Sequence, residues 1–145
     1  MNSDLELCIP LYIMAKAFRN EHARRLKKLG LTFTQFIVMI VLWEEEPLLV
    51  KEIGSRLELD SGTLTPVLKK LEEKGYVIRR QSEEDARDLV VTLTEEGCRL
   101  RETVEKVNRE MEEKKFRDPK KMEKIRNLLS ELLDCIKEMT DENEE

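Results

Sequence analysis

Several signals of a metalloprotein, a disulfide-stapled domain or a membrane protein are missing from this chain. It has one histidine and three cysteines. Cys8, Cys98 and Cys135 are odd in number, widely spaced and without a CxxC pair, which argues against a structural disulfide framework and against a metal site. No cofactor is expected. The longest apolar run, Phe36 to Trp43, is too short to span a bilayer. The N-terminus carries neither a basic nor a long apolar segment, so a cytoplasmic protein without membrane contact is expected. Aromatic residues make up only 5% of the chain while 39% is charged, a balance that favours a soluble helical protein over a sheet sandwich. A basic surplus is also absent. The formal net charge is −5, which counts against nucleic-acid binding if read alone.

The distribution of charge weakens that objection. Asp141, Glu142, Glu144 and Glu145 crowd an acidic tail, 141–145, and between Lys51 and Arg87 acids and bases are about balanced. At 145 residues the chain is expected to form one domain, large enough for a real core.

What is present is concentrated between Leu49 and Leu93. Val50, Ile53, Gly54 and Leu57 fall at the spacing of one helix face, and Leu64, Val67, Leu68 and Leu71 repeat the pattern. Between them, Asp60 or Ser61 can accept from the free amides that open the second helix, and Gly75 stops that helix. Its outward side then carries Ser61, Thr63, Thr65, Lys69 and Lys70. Hydroxyls on such a face can reach phosphates and base edges, while lysine neutralises the backbone. A short amphipathic helix with a solvated face occurs in many helical domains, so the following residues decide. Val77 to Gln81 and Leu89 to Leu93 are rich in β-branched and apolar residues, and the polar loop Ser82 to Arg87 joins them as a hairpin. An arginine on a thin loop can enter the narrow, negative minor groove. The region reads as a winged helix-turn-helix that binds DNA with a steep dependence on salt.

The run Leu59 to Pro66, the pair Arg79-Arg80, and Ser82-Glu83-Glu84-Asp85-Ala86-Arg87 resemble the MarR family of bacterial repressors, in particular its OhrR-like, peroxide-sensing branch. The similarity extends from Leu7-Cys8 to about Gly97. It implies that the helix from Ser61 enters the major groove and Arg87 the minor groove, that Asp85 helps hold the wing, and that Arg79 and Arg80 belong to the DNA-binding set. Pro66 deletes a backbone hydrogen bond inside the recognition helix and should bend it.

In chain order, Ser3-Asp4-Leu5-Glu6 can form a capping box ahead of Cys8. Pro10 leaves two options, a helix beginning near Ile9 or one that bends there. Both keep Cys8 within about a turn of a helix start, where the dipole favours a thiolate. Leu11, Ala15, Phe18, Leu26 and Leu29 carry an apolar stripe to Gly30. Thr32-Phe33-Thr34-Gln35 is a second capping box, and the apolar segment after it reads as a central helix. Relatives tend to have threonine where Leu49 stands, so a helix cap worth roughly 1 kcal/mol is expected to be missing. Thr94 caps a long helix with Leu100, Val104, Val107 and Met111 in register, and Asp118-Pro119 opens the last, with Met122, Ile125, Leu129, Leu132, Ile136 and Met139. No core in so small a domain obviously covers both stripes. The alternatives are ordinary core helices or a dimer built from 1–30 and 95–140. Two-fold pairing would set two recognition helices about 34 Å apart on a pseudo-palindromic operator.

The expected fold is therefore mainly α with a small β-hairpin wing, a winged helix-turn-helix over 49–93, paired as a homodimer through its terminal helices. Free cysteines are commonly inert fillers, but the resemblance makes Cys8 the peroxide sensor, oxidised to a sulfenic acid and then to a disulfide or further. It also makes Tyr12 a hydrogen-bond donor to the thiolate. Two further tyrosines of such sensors are replaced here by His22, which can still donate, and Phe33, which cannot. Cys98 and Cys135 are candidate resolving thiols without a family counterpart. The expected function is a repressor, not an enzyme, that releases operator DNA when a hydroperoxide oxidises Cys8. Its rivals are a repressor released by a small aromatic or acidic ligand and, more distantly, a thiol peroxidase.

Overall fold

The computed structural model describes residues 3–115 and 118–141. In chain order these form α1 (Ser3–Lys28), α2 (Phe33–Glu44), β1 (Leu48–Leu49), α3 (Val50–Leu57), α4 (Ser61–Glu73), β2 (Val77–Gln81), β3 (Leu89–Leu93), α5 (Glu95–Lys115) and α6 (Pro119–Asp141). Contacts divide the chain into two units, one ending at Glu102 and the other starting at Thr103.

In the first unit, the apolar segment whose periodicity was ambiguous is the buried helix α2. The Thr32 hydroxyl accepts from the Gln35 amide at 3.2 Å and the Gln35 side chain accepts from the Thr32 amide at 3.1 Å, the reciprocal box its sequence foretold. Val38, Met39 and Leu42 on α2, Ile53 on α3, Leu64, Leu68 and Leu71 on α4, and Val77 and Val91 on the strands form the most buried part of the core. Gly30 and Gly75 both sit at positive φ just beyond their helices, where only glycine fits without strain.

Three features depart from the expected outline. First, α1 already runs from Ser3, and the capping box expected of Ser3 and its neighbours rests on side chains outside the described residues. Pro10 is inside the helix, which settles the choice of start. Second, the hairpin gains a third strand. Leu48 and Leu49 pair with Val91 and Val90, giving the antiparallel order β1-β3-β2. A strand of two residues directly after Pro47 has too little length to show alternation. Third, Glu58 closes α3 in the left-handed region at φ 52°, and its neighbour's amide, Leu59 N–H, donates to the Gly54 carbonyl at 2.9 Å. Leu49 has no acceptor side chain, so half of the box at the start of α3 is missing. The other half is present, because the Glu52 carboxylate accepts from the Leu49 amide at 2.7 Å.

The start of α5 is tied back to the core. Thr94 accepts from the Gly97 amide at 3.0 Å, the Trp43 indole donates to the Gly97 carbonyl at 2.9 Å, and Arg101 donates to the Trp43 carbonyl at 2.9 Å. On α1, Leu5, Leu7, Ile9, Tyr12, Ile13, Met14 and Phe18 are exposed. In the second unit, Asp118 accepts from the Lys120 amide at the start of α6, and Leu128, Leu129, Leu133, Ile136 and Met139 are exposed along that helix. Beyond Asp141 the acidic tail lies outside the described residues, as do the side chains around Met111. Among the described residues no single helix is long and apolar enough to cross a membrane.

Candidate nucleic-acid interface and thiol site

The candidate recognition helix is α4. Asp60 caps it, its carboxylate accepting from the Thr63 amide at 2.7 Å, so of the two candidate caps the aspartate holds the position. Burial of Leu64, Leu68 and Leu71 fixes the helix rotation and leaves Ser61, Thr63, Thr65, Lys69 and Lys70 exposed on the other side. Lys70 also makes a solvent-exposed pair with Glu73 at 3.1 Å, of the kind that holds weakly and exchanges readily for a phosphate.

The wing presents Arg87 at its tip with 90% of the side chain exposed. Asp85 holds it from behind: its carboxylate accepts from the Arg87 backbone amide at 2.9 Å, from Nε at 3.1 Å and from Nη2 at 2.9 Å. The guanidinium is therefore oriented before any partner arrives, with donors still free to reach outward. Lys51, on the first turn of α3, bonds Asp88 at 2.6 Å and ties the base of the wing to the helix-turn-helix. A cleft of about 400 Å³ runs between α3, the start of α4 and the wing, and Lys51, Ser55, Ser61 and Arg87 line it. Arg80 is exposed on β2. Arg79 is turned inward to Glu72, which accepts from its amide at 3.0 Å and from Nε and Nη2 at 3.1 and 2.8 Å. Arg79 thus pins β2 to α4 and leaves the outward face to its neighbour.

These bonds shift the charges that make them. The Arg87 guanidinium, through its hydrogen bonds, holds the Asp85 carboxyl below the usual carboxylate range, and Arg79 does the same to Glu72. Conversely, hydrogen bonding to Asp85 and Asp88 raises Arg87 and Lys51. A carboxyl whose folded pKa is depressed contributes order above its unfolded value and loses it only as pH falls through the lower, folded value. The wing should accordingly stay ordered from pH 8 down to about 5 and loosen only below about 4, near the unperturbed Asp value. The Arg87 Nε–H resonance followed by NMR checks this, since it should keep its bonded shift over the upper range and move only in the acid.

The thiol candidate is on α1. Cys8 is exposed and in no disulfide, and it lies past the first helical turn, deeper than expected from a start near Ile9. Tyr12, also exposed, follows one turn later on the same side. His22 lies fourteen residues further along α1, about 21 Å from Cys8 at about 1.5 Å per residue. Within one chain the two do not meet. The His22 ring instead packs between Phe18, 4.1 Å away, and Phe33, 6.0 Å away, with Nδ1 2.9 Å from the Phe18 carbonyl. Cys98 and Cys135 are exposed on α5 and α6.

The family model for the transcriptional regulators SarA/Rot matches residues 23–104, more than half of the chain and all of the helix-turn-helix and wing. The chain belongs to the MarR/SarA family of transcriptional regulators. Among the relatives of this regulator, the organic hydroperoxide resistance transcriptional regulator of Bacillus subtilis is 42% identical over 102 residues, 70% of this chain and 69% of that one. The regulator SarZ of Staphylococcus haemolyticus is 45% identical over 103 residues, 71% and 70% of the two chains. AbfR of Staphylococcus epidermidis superposes with a TM-score of 0.81 at 33% identity, covering 93% of both chains. The same protein solved in its reduced form bound to DNA gives 0.77 at 32% identity, covering 92% of this chain and 93% of that one.

Lys51, Asp88 and Glu72 are the parts of the regulator's surface that sequence reasoning missed. Lys51 and Asp88 are 37 positions apart, and no local pattern announces such a pair. Glu72 is one of two adjacent glutamates at the end of α4, and only the fold shows which of them meets Arg79.

Proposed function

We propose that the regulator is a homodimeric, redox-sensing repressor that holds a pseudo-palindromic DNA operator while Cys8 is reduced and loosens its grip once a hydroperoxide has oxidised that thiol. The observation that carries the DNA half is the wing: an Arg87 held by Asp85 at the tip of a hairpin, beside a helix whose free face is hydroxyls and lysines. Ser61, Thr63, Thr65, Lys69 and Lys70 approach the major groove, Arg87 the minor groove, and Arg80 the flanking phosphates. The exposed apolar residues of α1 and α6 are the natural seats of the second copy.

For the redox half, the Cys8 thiolate attacks the peroxide O–O bond, giving a sulfenic acid and an alcohol, and a second thiol then displaces water to form a disulfide. AbfR has been solved on DNA both reduced and overoxidised, and separately with its disulfide formed. That set favours bulk or a crosslink at the thiol, rather than added oxygen alone, as the releasing event. A bulky adduct would push α1 and alter the spacing of the two recognition helices. Tyr12 is the donor nearest to Cys8 in sequence, and His22 could contribute only from the partner's chain.

The test compares operator binding by wild type and Cys8→Ser, with and without cumene hydroperoxide and a low-molecular-weight thiol. Wild type should lose at least about tenfold in affinity, within the usual range of coupling between sites, and Cys8→Ser should lose none. Equal loss in both, or in neither, defeats the redox half. Release by a small aromatic acid with no response to oxidant would select the ligand-controlled rival.

A further inference from the structure

We propose that Lys74 is a positioning residue that fastens the end of the recognition helix to the turn closing the helix that bears Cys8, so that displacement of α1 is passed through that turn to α4. This rests on the redox reading above for its use, though not for its geometry. Lys74 is the C-cap of α4, with φ −77° and ψ −6°. Its ammonium turns away from the face offered to DNA and donates to the Gly30 carbonyl and, at 2.9 Å, to the Gln35 side-chain oxygen. Gly30 is the left-handed residue of the turn after α1, one position past Leu29, where the Leu31 amide closes back on the Leu26 carbonyl at 3.0 Å. A cation there lies near the negative end of the α1 dipole and holds the carbonyl of the turn that closes the helix, whose own Leu26 and Lys27 carbonyls already accept from the Leu29, Leu31 and Gly30 amides. Gln35 is 6% exposed, and its oxygen also accepts from the Thr32 amide at 3.1 Å. One ammonium from α4 therefore sits on the junction where α1 ends and α2 begins.

Side chains of both helices also meet at that corner. Phe18 and His22 of α1 pack on Phe33 of α2, with ring centroids 6.3 and 6.0 Å apart, so a push on α1 reaches the corner rather than being absorbed by the turn. The core leucines of α4 anchor its middle to α2 and α3, whereas Lys74 bonds the end of α4 to the turn between α1 and α2 and to the first turn of α2. Spatial intermediacy alone does not establish coupling, and coupling is what the experiment reads.

The full-length protein is compared as wild type, Lys74→Met, which keeps the apolar stem but no donor, and Lys74→Arg, which keeps charge and donors. Operator affinity is measured reduced and after cumene hydroperoxide with thiol, across salt. Reduced Lys74→Met should bind within about threefold of wild type with the same salt slope, while its loss on oxidation shrinks by about fivefold or more, a fraction of typical coupling. Lys74→Arg should behave as wild type. A second readout needs no oxidant: binding of operator should slow hydrogen exchange at the Gly30 and Leu31 amides in wild type and not in Lys74→Met. An unchanged oxidation response in Lys74→Met overturns the proposal. So does a drop in affinity accompanied by a salt slope lower by about one per protomer, which marks a phosphate contact. Should wild type itself ignore hydroperoxide, the redox reading fails and the exchange result alone decides for or against Lys74. If Lys74→Met does not fold, Lys74→Gln replaces it in both measurements.

Discussion

Replacing Arg87 and Lys69 together by alanine should weaken operator binding about a hundredfold at moderate ionic strength and flatten its salt dependence by about two units per protomer. Both side chains are exposed, and neither packs into the core, so the global stability should change by less than about 0.5 kcal/mol, as for most surface changes, with any loosening confined to the wing. Arg87 carries the larger share. Asp85 has already fixed its guanidinium through the backbone amide, Nε and Nη2, which removes most of the ordering entropy that a long exposed side chain otherwise loses on binding. Truncation also leaves the Asp85 carboxylate facing the DNA backbone unneutralised, so Asp85→Ala in the Arg87→Ala background should recover part of the affinity. Filter binding or fluorescence anisotropy at several salt concentrations reads all of these.

The second large effect is on the fold. Gly97→Ala should cost about 3 kcal/mol or more and lower the melting temperature by roughly 10 °C. A Cβ at Gly97 would stand 2.2 Å from the Tyr76 carbonyl oxygen and 3.1 Å from its carbon. Neither atom can yield cheaply, because that oxygen accepts from the Thr94 amide at 3.0 Å and the Gly97 carbonyl is held by the Trp43 indole at 2.9 Å. The start of α5 would have to lift, breaking the Thr94 cap. Alanine's better helix propensity, about 1 kcal/mol, offsets only part. Gly62→Ala is the milder comparison: its Cβ would meet the Asp60 Oδ1 at 3.2 Å, the oxygen that accepts from the Thr63 amide, so a shift of a few tenths of an ångström suffices and the loss should stay below about 1 kcal/mol, the typical worth of a cap. Urea denaturation followed by circular dichroism separates the two.

Legibility in the sequence followed the range of each interaction. Thr32 and Gln35 are three residues apart, Ile53 and Gly54 share a helix face with Val50 and Leu57, and Leu64, Leu68 and Leu71 recur one turn apart, so the caps, the rotation of α3 and α4 and the stop at Gly75 could all be read locally. Bonds between distant residues could not. Lys51 with Asp88, Lys74 with Gly30 and Trp43 with Gly97 join positions 37, 44 and 54 apart, and nothing in their surroundings marks them as partners. The candidate site shows the same division. Arg87 was visible because a short polar loop isolates it, whereas the inward turn of Arg79 depends on where β2 passes α4. The separation of His22 from Cys8 follows from α1 being one continuous helix through Pro10, which the proline had left open.

The central claim is that two copies lay α4 into successive major-groove turns of one duplex while each wing grips the flanking minor groove. Hydroxyl-radical footprinting on an operator selected from a random pool tests it most directly. The expected result is two symmetric protected patches centred about 10 base pairs apart, each flanked by minor-groove protection that disappears in Arg87→Ala. A single asymmetric patch, or flanking protection unchanged by Arg87→Ala, would contradict it.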